Sequence, residues 1–264
     1  MEYFATCNGI AVHISDSQKG EKCLILLHGY LETLNIWEDF IKLLLPKMRI
    51  ISIDLPGHGL TGTNKEINTI EFSADVVRAV LEKCGVQKTY IMGHSMGGYI
   101  AIEAVKRYPQ LFEGLVLMHS VPFADTPEKK SDRDREISLI KQAKLQTIAR
   151  LGIPKMFSPN NLRRMDEKIF EIIELTETHD PEGIAASVEG LKARPDNFEF
   201  LKECKTPLIM FFGAEDYHIP AERAELLAKE LPNAEAVFLA NSGHNGFLEE
   251  PEVVQSALER FMAL

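Results

Sequence analysis

Lys88-Thr89-Tyr90-Ile91-Met92-Gly93-His94-Ser95-Met96-Gly97-Gly98 joins an apolar run to a helical pattern that continues to Arg107, just before Pro109. The run Lys88–Met92 reads as a strand and Met96–Arg107 as a helix. Between them stands a serine with glycines two positions before and two after. A strand that turns sharply into a helix holds such a serine in strained backbone, and only small neighbours permit the close approach. The turn presents the serine Oγ at the strand's C-terminal end, beside helix N–H groups that stabilise developing negative charge. The same pattern also suits a glycine-rich turn in which Ser95 merely caps the helix. Strand before and helix after favour a nucleophile.

The alternation extends in both directions. Upstream, Tyr3–Cys7 and Ile10–Ile14 flank Asn8-Gly9, a hairpin signal. Cys23-Leu24-Ile25-Leu26-Leu27 is apolar throughout, as suits a strand buried on both faces. A helical pattern over Ile36–Leu45 ends at Pro46, a strand fits Arg49–Ile53, and Thr69–Cys84 reads as an amphipathic helix. Downstream, Gly114–Met118 is another apolar strand. From Val121-Pro122 to about Lys205 the chain becomes helix-like and charged, broken by Gly152, Pro154, Pro159, Pro181 and Pro195, with no good strand. The rhythm resumes with strand Pro207–Phe212, helix Ala221–Glu230, strand Ala234–Leu239 and helix Pro251–Met262. Strands alternating with helices predict an α/β protein with a mostly parallel central sheet and helices on both faces. The expected organisation is a core of residues 1–121 and 206–264 carrying an inserted helical cap at 122–205.

Three further motifs follow predicted strands, on the edge where parallel sheets bind ligands. Leu27-His28-Gly29-Tyr30 can aim the Tyr30 N–H inward, because Gly29 permits an unusual turn; His28 reads as a hydrogen-bonded structural residue. Gly213-Ala214-Glu215-Asp216 offers a carboxylate that can orient a histidine, with Glu215 as the local competitor. Asn241-Ser242-Gly243-His244-Asn245 supplies that histidine. Alone, each has a bland reading: a βα loop, a solvated acid, a surface or capping histidine. Together they run Ser, acid, His along the chain, the order this architecture uses.

The sequence resembles the α/β-hydrolase superfamily over nearly its whole length, through His28-Gly29-Tyr30, Asp54-Leu55-Pro56-Gly57-His58-Gly59, Gly93–Gly98, Gly213–Asp216 and Ser242-Gly243-His244. The resemblance implies an α/β-hydrolase fold and a catalytic set of Ser95, Asp216 and His244. It also implies an oxyanion hole from the backbone N–H groups of Tyr30 and Met96. In that family the Asp54–Gly59 loop is mainly structural, so His58 is not expected to be catalytic. Ala193-Arg194-Pro195-Asp196 resembles a subgroup of small-ester and enol-lactone hydrolases. Ser95 argues against dehalogenases and epoxide hydrolases, whose elbow carries Asp. Leu31-Glu32-Thr33 lacks the proline usual in cofactor-free haloperoxidases. His119-Ser120 follows Met118 where some relatives carry an acid, leaving Asp216 without a rival. The implied activity is hydrolysis of a small-molecule carboxylic ester or related acyl compound. The same triad also serves C–C bond hydrolases, acyltransferases and slow-turnover ligand sensors. In the predicted cap, Ile148, Leu151, Ile153, Met156, Phe157 and Leu162 line an acyl pocket or pack the cap; Lys129-Lys130 and Arg163-Arg164 meet an anionic substrate or form a solvated face.

Composition narrows the partners. Of 264 residues, 45% are hydrophobic, enough to bury a sizeable core and to exclude disorder. A net charge of −10 disfavours nucleic acid and anionic membranes. Cys7, Cys23, Cys84 and Cys204 are scattered with no CxxC pair, and are expected to be reduced. There is no HExxH, no Cys/His cluster with ligand spacing, no GxxxxGK[ST] and no GxGxxG, so no metal or nucleotide cofactor is expected. Met1–Ala5 lacks a signal-peptide pattern, and no apolar run approaches the ~18 residues of a membrane span. A cytoplasmic location is expected.

Overall fold

A computed structural model describes residues 1–45, 47–64 and 66–263. In chain order its elements are β1 (Glu2–Cys7), β2 (Ile10–Asp16), β3 (Cys23–Leu27), α1 (Glu38–Leu44), β4 (Arg49–Ile53), α2 (Ile70–Lys83), β5 (Thr89–His94), α3 (Met96–Arg107) and β6 (Phe112–Met118). Then come α4 (Pro127–Lys141), α5 (Leu145–Gly152), α6 (Asp166–Glu177), α7 (Pro181–Ala193) and α8 (Phe198–Glu203). The chain closes with β7 (Leu208–Gly213), α9 (Ala221–Glu230), β8 (Glu235–Leu239), α10 (Gly246–Glu249) and α11 (Pro251–Phe261).

The strands form one sheet in the order β1-β2-β4-β3-β5-β6-β7-β8. β1 and β2 pair antiparallel through a two-residue turn at Asn8 (φ 48°) and Gly9 (φ 86°), as the Asn-Gly signal requires. β2 also meets β4 antiparallel, and every later pairing is parallel. β3 and β7 are buried at every position, which explains their unbroken apolar runs. Alternate residues of β3 face opposite layers. Ile25 and Leu27 join the cluster containing Val77 of α2 and Ile100 of α3, while Leu24 and Leu26 join Phe40 of α1 and Leu258 of α11. Each such burial contributes about 1.5–3 kcal/mol.

Helix α2 starts where the sequence places it because the Thr69 side chain accepts the Phe72 N–H at 3.0 Å. The helix expected over Ile36–Leu45 is divided: a 3-10 turn at Leu34–Trp37 leads into α1. Two oxygens fix that earlier start, Asp54 Oδ1 accepting the Leu34 N–H and Thr33 Oγ1 the Asn35 N–H. Pro46, expected to end the pattern, lies outside the described residues. Between β6 and β7 the described chain contains no strand, only α4–α8 and a 3-10 turn at Ile153–Met156. This segment meets the rest through short polar contacts. Asn68 N–H donates to Ala186 O at 3.0 Å, and Thr176 Oγ1 donates to Leu31 O at 2.8 Å. Gly57 (φ 78°) lies so close to the Gly183 carbonyl that a Cβ there would collide with it.

The C-terminal ends of β3, β5, β6 and β7 lead directly into His28, Ser95, His119 and the loop holding Asp216; His244 follows β8. The parallel sheet therefore gathers these side chains along one edge.

Candidate active site

Ser95 sits between β5 and α3 at φ 48° and ψ −110°, a region that non-glycine residues rarely occupy. Its side chain makes no capping hydrogen bond, so the capping alternative does not hold. The strain is held by close packing. A Cβ at Gly93 would strike the Gly97 carbonyl, and one at Gly97 would strike the carbonyls of Leu27 and His28. Ser95 N–H donates to Met118 O at 3.0 Å, and Ser120 Oγ donates to Ser95 O at 2.8 Å. Met96 is the first residue of α3, so its N–H has no intrahelical acceptor. The Tyr30 N–H likewise finds no acceptor among the described residues.

Asp216, after β7, is buried and accepts four hydrogen bonds. Oδ1 takes the N–H groups of His218 (2.7 Å) and Ile219 (3.0 Å). Oδ2 takes His244 Nδ1 at 2.7 Å and His119 Nδ1 at 3.2 Å. Burial would raise the Asp216 pKa. The adjoining His244, with the hydrogen bonds from both histidines, outweighs burial and holds the carboxyl well below the usual carboxylate range. With Nδ1–H bonded to that carboxylate, His244 keeps Nε2 available as a base. Glu215, the local competitor, turns away to Ser158 Oγ (2.7 Å) and Asn160 Nδ2 (2.8 Å).

Two participants escaped the sequence reading. His119 (φ 47°) is wholly buried, and its Nε2 accepts the Gly246 N–H at 3.0 Å. Its Nδ1 therefore carries the proton donated to Asp216. Burial pushes its pKa down to about 4, so it is neutral at pH 7. His119, Asp216 and His244 have the composition of a cation site, with ligand atoms within 4.8 Å of one another. Both nitrogens of His119 are already engaged, however, so the trio suits a hydrogen-bonded relay better than a metal. The second participant is Glu32. Its Oε2 accepts from Gly29 N–H (2.6 Å) and His94 Nδ1 (2.9 Å), while His94 Nε2 donates to the His244 carbonyl (2.8 Å). Both side chains are fully buried. Burial opposes each charge, yet the pairing holds Glu32 below its ordinary pKa and His94 above its own. This ion pair ties together the loops bearing Tyr30, Ser95 and His244. Its only visible sequence signal is an acid three residues beyond Gly29.

The remaining motif residues are structural by their contacts. His28 Nε2 accepts the Leu55 N–H at 2.9 Å, so Nδ1–H donates to Gly29 O at 2.7 Å. Asp54 accepts from the N–H groups of Leu34 and Leu60. The His244 N–H donates to Met156 O at 2.7 Å, and Glu249 accepts from both Gly243 N–H and Ser158 N–H, so the histidine loop is braced on two sides.

Ser95 and His244 open into a cavity of about 420 Å³, also lined by Tyr30, Met96, Ile148 and Ile153. That volume suits a small organic ligand. Of the six apolar residues that the sequence offers either for an acyl pocket or for cap packing, Ile148, Ile153 and Met156 line the cavity. Phe157 is buried in the core, and Leu151 and Leu162 are exposed on the outside. The four cysteines are unpaired. Among the described residues no helix is long and apolar enough to cross a membrane.

A family model described as "alpha/beta hydrolase fold" matches residues 22–251. Over 272 residues the chain is 29% identical to the AB hydrolase superfamily protein YisY of Bacillus subtilis, covering 98% of each chain. Over 249 residues it is 25% identical to a pimeloyl-[acyl-carrier protein] methyl ester esterase of Yersinia enterocolitica, covering 92% of this chain and 94% of the relative. Among solved structures, a thermophilic esterase from Thermogutta terrifontis superposes with a TM-score of 0.93 at 26% identity, covering 100% of this chain and 98% of that one.

Proposed function

The chain belongs to the α/β hydrolase fold family and is an enzyme of the hydrolase type, and from that premise we propose that it hydrolyses small-molecule carboxylic esters through Ser95, His244 and Asp216. One observation carries the reading: a strained serine at a helix start shares a cavity with a histidine whose Nδ1 is held by a buried carboxylate.

Those positions support one cycle. His244 Nε2 takes the Ser95 Oγ proton as Oγ bonds to the ester carbonyl carbon. The carbonyl oxygen becomes an oxyanion and accepts from the N–H groups of Tyr30 and Met96, each worth about 3–4 kcal/mol in comparable sites. Collapse breaks the bond to the alcohol oxygen, which leaves with the proton from His244. Water then attacks the acyl carbon and gives its proton to Nε2. The carboxylic acid leaves and the proton returns to Oγ. Asp216 stays anionic throughout, kept so by His119 as well as by the imidazolium that forms. In the same reading, residues 122–205 act as a cap, with Ile148, Ile153 and Met156 shaping the space for the acyl group.

A graded series of p-nitrophenyl esters tests the assignment. The wild-type protein is expected to turn over some members, and Ser95→Ala none. Wild-type rates in a folded Ser95→Ala protein would sink it.

A further inference from the structure

The protein carries 39 acidic and 29 basic residues, yet the wall of its cavity reverses that balance. Lys129, Arg133, Arg194 and Arg223 line it, against the acids Asp125 and Glu136. The four cations arrive from three places in the fold. Lys129 and Arg133 lie one turn apart on the same face of α4, Arg194 follows α7, and Arg223 stands on α9. Two of them neutralise the acids. Asp125 is held by Arg194 Nη1 at 2.7 Å and by Arg133 Nε at 3.3 Å, and Glu136 by Arg133 Nη1 at 3.3 Å. Arg133 Nη2 has no acceptor among the described residues, although its side chain is only 13% exposed. Lys129 and Arg223 have no carboxylate within salt-bridge distance among the described residues; Arg223 lies over the Phe123 ring at 4.9 Å. A wall left with two uncompensated positive charges and an open guanidinium donor favours an anion. The open Arg133 Nη2 beside the cations of Lys129 and Arg223 offers donors for the two oxygens of a carboxylate.

Resting on the serine-hydrolase reading above, we propose that the enzyme's preferred substrates are esters that also carry a free carboxylate, half-esters of dicarboxylic acids, whose anionic end is received by Lys129, Arg133 and Arg223. The scissile end lies at Ser95, and the carboxylate sets the orientation through the cations that line the same cavity.

Three methyl esters of similar length separate charge from size: monomethyl adipate (anionic), methyl hexanoate (neutral) and methyl 6-aminohexanoate (cationic). Acid release is followed by pH-stat titration, and kcat/KM is compared. The anionic ester is expected to exceed the neutral one by about tenfold at low ionic strength, with the cationic ester lowest. The preference should shrink as salt shortens the reach of the charges to about 3–4 Å. In the double variant Lys129→Glu with Arg223→Glu the order should invert. Turnover of the neutral ester without an anionic preference, or a preference that survives in the double variant, overturns this proposal and leaves the hydrolase reading standing. Failure of the wild-type protein on all three esters and on the p-nitrophenyl series overturns both.

Discussion

Substituting Glu32 by Gln changes one atom type in a site with no slack. In the wild-type protein Oε2 accepts two N–H groups, from Gly29 and from His94, and Oε1 has no partner. His94 Nε2 must donate, because it faces a carbonyl. With the amide oxygen in the place of Oε2, both donors keep an acceptor only if His94 stays cationic, buried and without its counter-ion. With the amide nitrogen there, His94 can become neutral and accept, but the Gly29 N–H then faces another N–H. Each arrangement therefore leaves either a buried charge without its counter-ion or a buried donor without an acceptor. Stranding a buried charge costs about 3–5 kcal/mol, and stranding a buried donor about 1–3 kcal/mol. Urea unfolding at pH 7 is expected to show a loss of about 3 kcal/mol. Ester turnover should fall with it, since the loops bearing Tyr30, Ser95 and His244 lose their common tie. Replacing Glu32 and His94 together by Leu removes both charges and should cost less than the sum of the single changes by about 2 kcal/mol or more. A Glu32→Gln protein within about 1 kcal/mol of wild type, or strictly additive single and double changes, would refute the ion-pair reasoning.

Two other outcomes follow from Asp216 and the buried histidines. Asp216→Asn removes the carboxylate acceptor that holds the His244 tautomer with its proton on Nδ1, and presents an amide where His119 and His244 both donate; kcat is expected to fall about 10³–10⁴-fold with the protein still folded, and steady-state kinetics beside near-ultraviolet circular dichroism checks it. The structure should also be acid-labile. Burial depresses His119 and His179 to about 4, against about 6.5 in the unfolded chain. Between those values the unfolded state binds more protons. The contribution of these two histidines is therefore complete above pH 6.5 and falls by up to about 1.4 kcal/mol per pH unit for each as pH drops toward 4. The depressed Asp216 carboxyl extends the loss below that window. His94, whose pKa is raised, works in the opposite sense above 6.5 and does not offset the acid side. Urea midpoints measured from pH 7.5 to 4.5 should decline across this window, and a flat profile would contradict the burial argument.

Much of this was legible because the signals are local. Met96–Arg107 and Arg49–Ile53 match α3 and β4 residue for residue, since an apolar run of fixed length or a 3.6-residue period needs no distant partner to be seen. Ser95, Asp216 and His244 stood out because each follows an apolar strand, and parallel strands deliver their C-terminal loops to one edge. The unread parts depend on long-range pairing. Glu32 meets His94 across 62 positions, and His119 meets Asp216 across 97. In the sequence His119 shows only as the absence of a carboxylate after Met118, because nothing near it says that its Nε2 accepts from Gly246. The four-residue α10 is too short to show a period; Glu249 within it serves backbone N–H groups of two other segments. Lys129 and Arg163 looked alike in sequence, and only the packing of α4 brings one of them to the cavity.

The most direct test of the account is intact-protein mass spectrometry after treatment with a fluorophosphonate, followed by peptide mapping. A single adduct on Ser95, formed by the wild-type protein and absent from Ser95→Ala, is the expected result. A folded wild-type protein that takes up no label, or takes it at another residue, would contradict the claim that Ser95 is an activated nucleophile.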